Sequence, residues 1–352
     1  MKMQQVLKTL TTGLMSMAVV GGVCAQTAPP AKELNIYSAR HYQTDEQLYG
    51  GFTKETGIKI NRIEASDNAL IERLKSEGAK SPADVILLVD AARLWRAEKD
   101  GMFQPVKSAF IDERIPENLR AKADDGGNAW VGYSTRARVI VYNKARVKPE
   151  DVNTYEKLAD PVNKGQVCTR SGSHPYMLSL VGAMIDRNGE AATEAWAKGM
   201  VANQARAPRG GDTDQIKAVA AGECGVALTN SYYLVRMMRS TKPEDQAMMA
   251  KVGFLWPNQA TSGTHINIAG GGIAKHAPHP EAAKKFLEYL ATDAAQVYFA
   301  DGNNEWPAVP SVKVENPGLK ALGTFKVENV SVAAMGRNQI AAQKILDRAR
   351  FK

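Results

Sequence analysis

Residues 84–100 read D-V-I-L-L-V-D-A-A-R-L-W-R-A-E-K-D, and the change of pattern inside that stretch decides the fold. Residues 84–89 form a continuous apolar run without the alternation of a strand that has one wet face. Such a run suits a strand buried on both sides. Residues 90–100 then return to a helical pattern, which Gly101 stops. The same succession precedes it. Residues 34–37 read as a strand, 45–55 as a helix ending at Gly57, and 58–63 as a strand. Residues 68–77 carry Leu70, Ile71 and Leu74 at helical spacing up to Gly78. This β-α-β-α-β-α order predicts a mostly parallel sheet covered by helices on both faces.

A second set follows. After a long irregular connection, R-V-I-V-Y-N (138–143) is a clear strand. Helices are expected at 176–186, 190–201 and 213–221, then a strand after Cys224 and a helical stretch at 232–239. I-N-I-A-G-G-G-I-A (266–274) has no partner nearby in sequence and carries the chain back toward the first set. Helices at 281–290 and 293–300 and a long one at 330–349 complete the chain. The fold class is α/β with two lobes, each a mainly parallel sheet flanked by helices and joined to the other by crossing strands. Residues 34–135 plus about 265–310 make the first lobe, and 136–264 plus about 311–352 the second. Ligands of such folds sit at the carboxyl ends of strands, between lobes.

The first 25 residues read as a secretory signal peptide rather than as fold. Lys2 and Lys8 are followed by an uncharged apolar stretch at 10–23, and Val23-Cys24-Ala25 places small residues at −3 and −1 of a cleavage site after Ala25. A lipoprotein reading would acylate Cys24, but Gly21-Gly22-Val23 fits that pattern poorly. Residues 26–33 are a tether. Loss of Lys2 and Lys8 lowers the formal charge from +8 to +6. A basic surface of that size suits an anionic ligand or an acidic membrane surface as well as it suits mere solubility. No Lys/Arg run interleaved with aromatics points to nucleic acid. The mature chain then keeps only Cys168 and Cys224, each beside a short strand-like segment in an oxidising compartment, and one disulfide between them is the economical reading.

Nucleophile-elbow, zincin, C-x-x-C and P-loop signatures are absent. Gly270-Gly271-Gly272 lacks dinucleotide-binding spacing and reads as a close backbone passage. His276 and His279 precede a helix and read as a turn and cap. Tyr232-Tyr233 stands apart from the other tyrosines. It lies at a strand-to-helix junction after Thr229-Asn230-Ser231, where Asn230 and Ser231 are candidate caps. On composition alone such a pair is more often packing than ligation.

Five segments change that balance: S-A-R-H-Y (38–42), P-A-D-V-I-L-L-V-D (82–90), S-T-R-A-R-V-I-V-Y-N (134–143), A-A-G-E-C-G-V-A-L-T-N-S-Y-Y (220–233) and A-A-K-K-F-L-E-Y-L (282–290). Together they resemble the periplasmic ferric-iron-binding proteins of ABC importers, the bacterial transferrins, in the tyrosine-rich branch of the cyanobacterial iron-uptake binding proteins. The resemblance implies a type II periplasmic binding protein fold with Fe³⁺ held between the lobes. It implies Tyr232, Tyr233 and Tyr176 as ligands from the second lobe and Tyr42 from the first. His41 beside it either completes the shell or orients Tyr42. It implies Arg136 as the cleft arginine, with Arg138 and Arg236 in reserve. Some relatives place a Glu ligand where this chain has Ser66-Asp67-Asn68, so only Asp67 is left there as a carboxylate. Implied partners are ferric iron and an inner-membrane ABC permease with its ATPase subunit, served by a monomeric, non-enzymatic periplasmic protein.

The chemistry agrees. Fe³⁺ is a hard acid that takes oxygen donors. Phenolate supplies them once the phenol proton is expelled, so affinity falls with pH. Four phenolates on Fe³⁺ leave one negative charge, which a guanidinium balances. An exogenous anion such as carbonate is then less needed, and its presence is left open. Two competing readings remain: the same fold holding a thiamine-, polyamine- or phosphonate-like solute, and an extracytoplasmic iron enzyme.

Overall fold

The computed structural model describes residues 32–40 and 45–352. The leader and most of the tether lie outside the described residues, as do His41 and Tyr42. In chain order the strands are β1 (Glu33–Ser38), β2 (Lys59–Glu64), β3 (Val85–Leu88), β4 (Phe103–Gln104), β5 (Arg120–Lys122), β6 (Asn128–Asn143), β7 (Val167–Cys168), β8 (Val226–Asn230), β9 (Val252–Leu255), β10 (Ile266–Ala274) and β11 (Trp306–Pro307). The first six α-helices are α1 (Asp45–Thr56), α2 (Asp67–Glu77), α3 (Ala91–Lys99), α4 (Ala109–Arg114), α5 (Pro175–Asn188) and α6 (Glu190–Ala202). They continue as α7 (Asp212–Ala221), α8 (Ser231–Met238), α9 (Pro243–Lys251), α10 (Pro280–Leu290), α11 (Asp293–Asn303), α12 (Pro317–Ala321), α13 (Val332–Arg337) and α14 (Gln339–Arg348).

β2, β1 and β3 are parallel neighbours, and all four residues of β3 are buried, as its unbroken apolar run predicts. β10 then joins β3 antiparallel, with Gly270 opposite Leu88, and β6 joins β10 antiparallel, with Arg136 opposite Asn267. The first part of β6 pairs with β10, β5 and β11, and its last part pairs with β8 and β9. β7 lies parallel to β8. The crossing strands therefore enter each sheet antiparallel to the strands they join.

β6 is 16 residues long, and only its last six carry the apolar pattern of a strand. Gly132, Ser134, Thr135 and Arg136 break the apolar pattern of residues 128–137, which in the sequence look like irregular connection. They are strand because this stretch runs through the junction of the lobes, where buried polar groups meet polar partners: Ser134 donates to Glu305 at 2.8 Å. The three glycines of β10 allow close passage. A Cβ at Gly270, Gly271 or Gly272 would stand 2.4 Å from the carbonyl oxygen of Val131, Ile86 or Ala129. The terminal helix is broken into α13 and α14. Asn338 sits at the break and donates from its side chain to the Gly182 carbonyl at 2.9 Å. The break lets α13 pack against both α3 and α5, with Gly336 under the Trp95 ring, where a Cβ would lie 2.4 Å from the indole.

The first lobe has one apolar core, including Leu34, Ile36, Phe52, Ile86, Leu88 and Phe286. The second has two, one on each face of its sheet. Ile140, Val226 and Leu228 belong to one, Val139, Val141 and Ala227 to the other, which is the period-two alternation of a strand. Each fully buried aliphatic side chain contributes about 1.5–3 kcal/mol. Cys168 and Cys224 are disulfide-bonded with their Cα atoms 5.8 Å apart.

Candidate metal centre

Two elements of the second lobe bring three tyrosines to one wall. α5 starts at Pro175, a residue whose fixed φ suits the first helical position, and His174 caps it by accepting the Tyr176 N–H at Nδ1, 3.2 Å away. α8 starts directly at the end of β8, so Tyr232 and Tyr233 fall in its first turn. The Tyr176 and Tyr232 hydroxyls are 3.0 Å apart, and the rings of Tyr232 and Tyr233 lie 4.2 Å apart between centroids. Tyr232 is buried and Tyr233 half-buried. Neither Asn230 nor Ser231 caps α8 through its side chain, contrary to the expectation from sequence. Asn230 accepts from Arg138 at 3.1 Å, and Ser231 accepts the Ala137 N–H at 3.1 Å, tying the tyrosine helix to the crossing strand β6.

The tyrosine wall opens on a cleft of about 680 Å³ between the lobes. Tyr176, Tyr233, His174 and Arg170 line it from one side, Ser66, Asp67, Asn68 and Arg93 from the other. Asp67 is engaged by the backbone: it accepts the Val89 N–H at 3.2 Å, and burial pushes its carboxyl above the ordinary range. Among the described residues no three His, Cys, Asp or Glu side chains gather in a way that could hold a metal. The donors that gather are phenols.

Cations surround them. Arg136, Arg138 and Arg170 stand 5.9, 5.8 and 5.2 Å from the Tyr176 ring centre, and Arg236 stands 5.4 Å from that of Tyr233. Arg136 is buried, and among the described residues none of its three side-chain nitrogens has a hydrogen-bond partner. Burial opposes its charge, but Glu305, Tyr176, Tyr232 and Asp90 hold its pKa above the ordinary value. Arg138 is committed elsewhere, in a buried ion pair with Asp212 at 2.6 Å.

Asp212, Arg170 and His174 were not singled out from the sequence. Asp212 also accepts the Asn230 N–H at 2.7 Å and lies 3.5 Å from Arg170. One buried carboxylate thus aims two guanidiniums and the backbone that precedes the tyrosine pair. Nothing in G-G-D-T-D announces this, because the partners are 18 to 74 residues away. His174 was legible in principle, as a polar residue before a proline that opens a helix. Burial, then Arg170, drives its ring down to about 3, so it is neutral, and accepting at Nδ1 leaves its proton on Nε2. His279 occupies the cap position of α10 and sits 3.1 Å from Asp84, a structural role as expected.

Comparison with known proteins gives one picture. Residues 47–326 match the family model described as bacterial extracellular solute-binding protein. "Iron uptake protein A1" of Synechocystis is 48% identical over 328 residues, covering 93% of this chain and 90% of the relative. A Trichodesmium protein solved in complex with iron and citrate superposes with a TM-score of 0.84 at 50% identity, over 91% of this chain and 100% of that one. The ferric binding protein of Campylobacter jejuni gives 0.85 at 38% identity, over 91% and 100%. With its fold, its cleft and these likenesses established, the chain belongs to the bacterial extracellular solute-binding proteins, in the type II fold of their iron-binding members.

Proposed function

We propose that this protein binds ferric iron between its lobes through tyrosinate oxygens and delivers it to an ABC permease with its ATPase subunit. The observation that carries the reading is the convergence of Tyr176, Tyr232 and Tyr233 on one cleft wall ringed by guanidiniums. A trivalent cation alone is repelled by such a ring. A ferric ion carrying three or four phenolates is neutral or anionic, and the same arginines then stabilise it. Arg136 serves the bound complex best, because its guanidinium is buried against the tyrosines without a hydrogen-bond partner among the described residues.

The first-lobe donor is Tyr42, with His41 beside it. The chain acts as a monomer in the periplasm after cleavage near Ala25, and among the described residues no helix is long and apolar enough to cross a membrane. The cleft is larger than one ion needs, and Arg93 and Arg170 face it from opposite sides. That favours a form of the reading in which a carboxylate-bearing chelator enters with the metal. Iron-free mature protein mixed with ferric iron should turn red to purple through tyrosinate-to-iron charge transfer. A colourless protein that takes up no ferric iron overturns the reading.

A further inference from the structure

Asp90 is a fully buried carboxylate touched from three directions. It caps α3, accepting the Ala92 N–H at 2.9 Å. It accepts the Asn267 side-chain amide of the crossing strand β10 at 2.8 Å, and Asn267 in turn accepts the Ala91 N–H at 2.9 Å. Its third partner comes from the other lobe: the Ser179 hydroxyl of α5 lies 2.9 and 3.0 Å from its two oxygens. The first two partners sit on α3, which Asp90 itself caps, and on the adjoining strand β10, and move with Asp90. Of the bonds to Asp90, that of Ser179 is the one that must break if α5 swings away from α3.

Ser179 is also three residues after Tyr176 on the same helix, so the two side chains share a face one turn apart. A rigid helix turn therefore links a tyrosine of the cleft wall to a hydrogen bond across the lobes. Both Ser179 and Asp90 are buried, so water does not replace the bond cheaply. α13, packed on α3 and α5 together, keeps the two helices side by side at this point.

We infer that Ser179 is a positioning residue: its hydrogen bond to Asp90 pins α5 against the first lobe, favours the closed cleft and slows release of the ligand held by Tyr176. The inference rests on the proposed ferric-iron reading of the site and adds to it a residue that touches no ligand. A hydrogen bond to a charged acceptor is strong enough to change a release rate by about tenfold when lost.

The test uses full mature protein loaded with ferric iron and chased with excess EDTA, following the loss of visible absorbance. Ser179→Ala should release iron about tenfold faster than wild type with its absorption band at the same wavelength, because the ligands are untouched. Ser179→Thr, which returns the hydroxyl, should release near the wild-type rate. Release from Ser179→Ala at the wild-type rate overturns the inference. If wild type takes up no ferric iron, the reading of the site has failed instead, and solution scattering of the iron-free proteins decides the pin. A larger radius of gyration in Ser179→Ala then supports it, and equal radii overturn it.

Discussion

The hydroxyls of Tyr176 and Tyr232 meet at 3.0 Å although 56 residues separate them in the chain. Two neutral phenols at that distance are joined by one O–H to O hydrogen bond, whichever of them donates. Two phenolates there repel each other by about 5 kcal/mol at an effective dielectric of 20. A cation bound between them reverses the sign of that term, which makes the pair a poor place for two anions alone and a good one for two anions and a metal.

Tyr176→Phe keeps the ring and removes one of those oxygens. The variant should still bind ferric iron through Tyr232 and Tyr233, with its affinity reduced about 100-fold, a loss of about 3 kcal/mol. Competition with a chelator of known strength measures this. Unchanged affinity would show that Tyr176 is not in the metal's shell.

Asp212→Asn leaves the buried guanidinium of Arg138 and the nearby Arg170 without their shared anion. Breaking a buried pair in this way costs about 3–5 kcal/mol of folding stability. Urea denaturation of the iron-free variant should show that loss. A change below about 1 kcal/mol would mean that the pair carries little of the stability of this wall.

Much of this architecture is legible in the sequence, and the exceptions share one cause. The D-V-I-L-L-V run, the glycine stops and the tyrosine pair are local patterns, and each is where its pattern puts it. The first ten residues of β6 hid because their polar side chains interrupt the apolar pattern and answer to residues distant in the chain, Ser134 to Glu305 among them. The division of the last helix hid because Asn338 answers to a carbonyl 156 residues earlier. Asp212 hid for the same reason, since a buried ion pair between residues 138 and 212 leaves no periodic trace. Pattern reading finds what neighbours in sequence decide and misses what distant partners decide.

His174 gives the iron-free protein an acid sensitivity of known sign. Its ring titrates near 6.5 when unfolded and is held down to about 3 when folded. Between those values the unfolded chain binds the extra proton, so stability falls as pH falls through that window. His174→Asn keeps an oxygen that can cap α5 and removes the titration. Its stability should drop about 2–4 kcal/mol less than that of wild type between pH 7 and pH 4. Parallel losses in the two proteins would contradict the assignment.

The disulfide ties β7 to the segment entering β8, and both lead within eight residues to a tyrosine of the wall. Replacing Cys168 and Cys224 with Ser reopens a loop spanning 56 residues and should cost about 4 kcal/mol in the chain-entropy account. Guanidinium denaturation of the double variant against oxidised wild type measures it. A cost below about 1 kcal/mol would show that packing alone fixes these strands.

If tyrosine oxygens hold the iron, Tyr232 and Tyr233 are the donors whose removal shows it. Changing both to Phe preserves the ring contact at 4.2 Å and deletes only the donors. Ferric iron titrated into wild-type mature protein should raise a visible charge-transfer band that saturates at one iron per chain. The Tyr232→Phe, Tyr233→Phe protein should bind at least 1000-fold more weakly, about 4 kcal/mol, and show less than half of that absorbance. A double variant that binds one ferric ion with wild-type strength and colour would place the site elsewhere in the molecule.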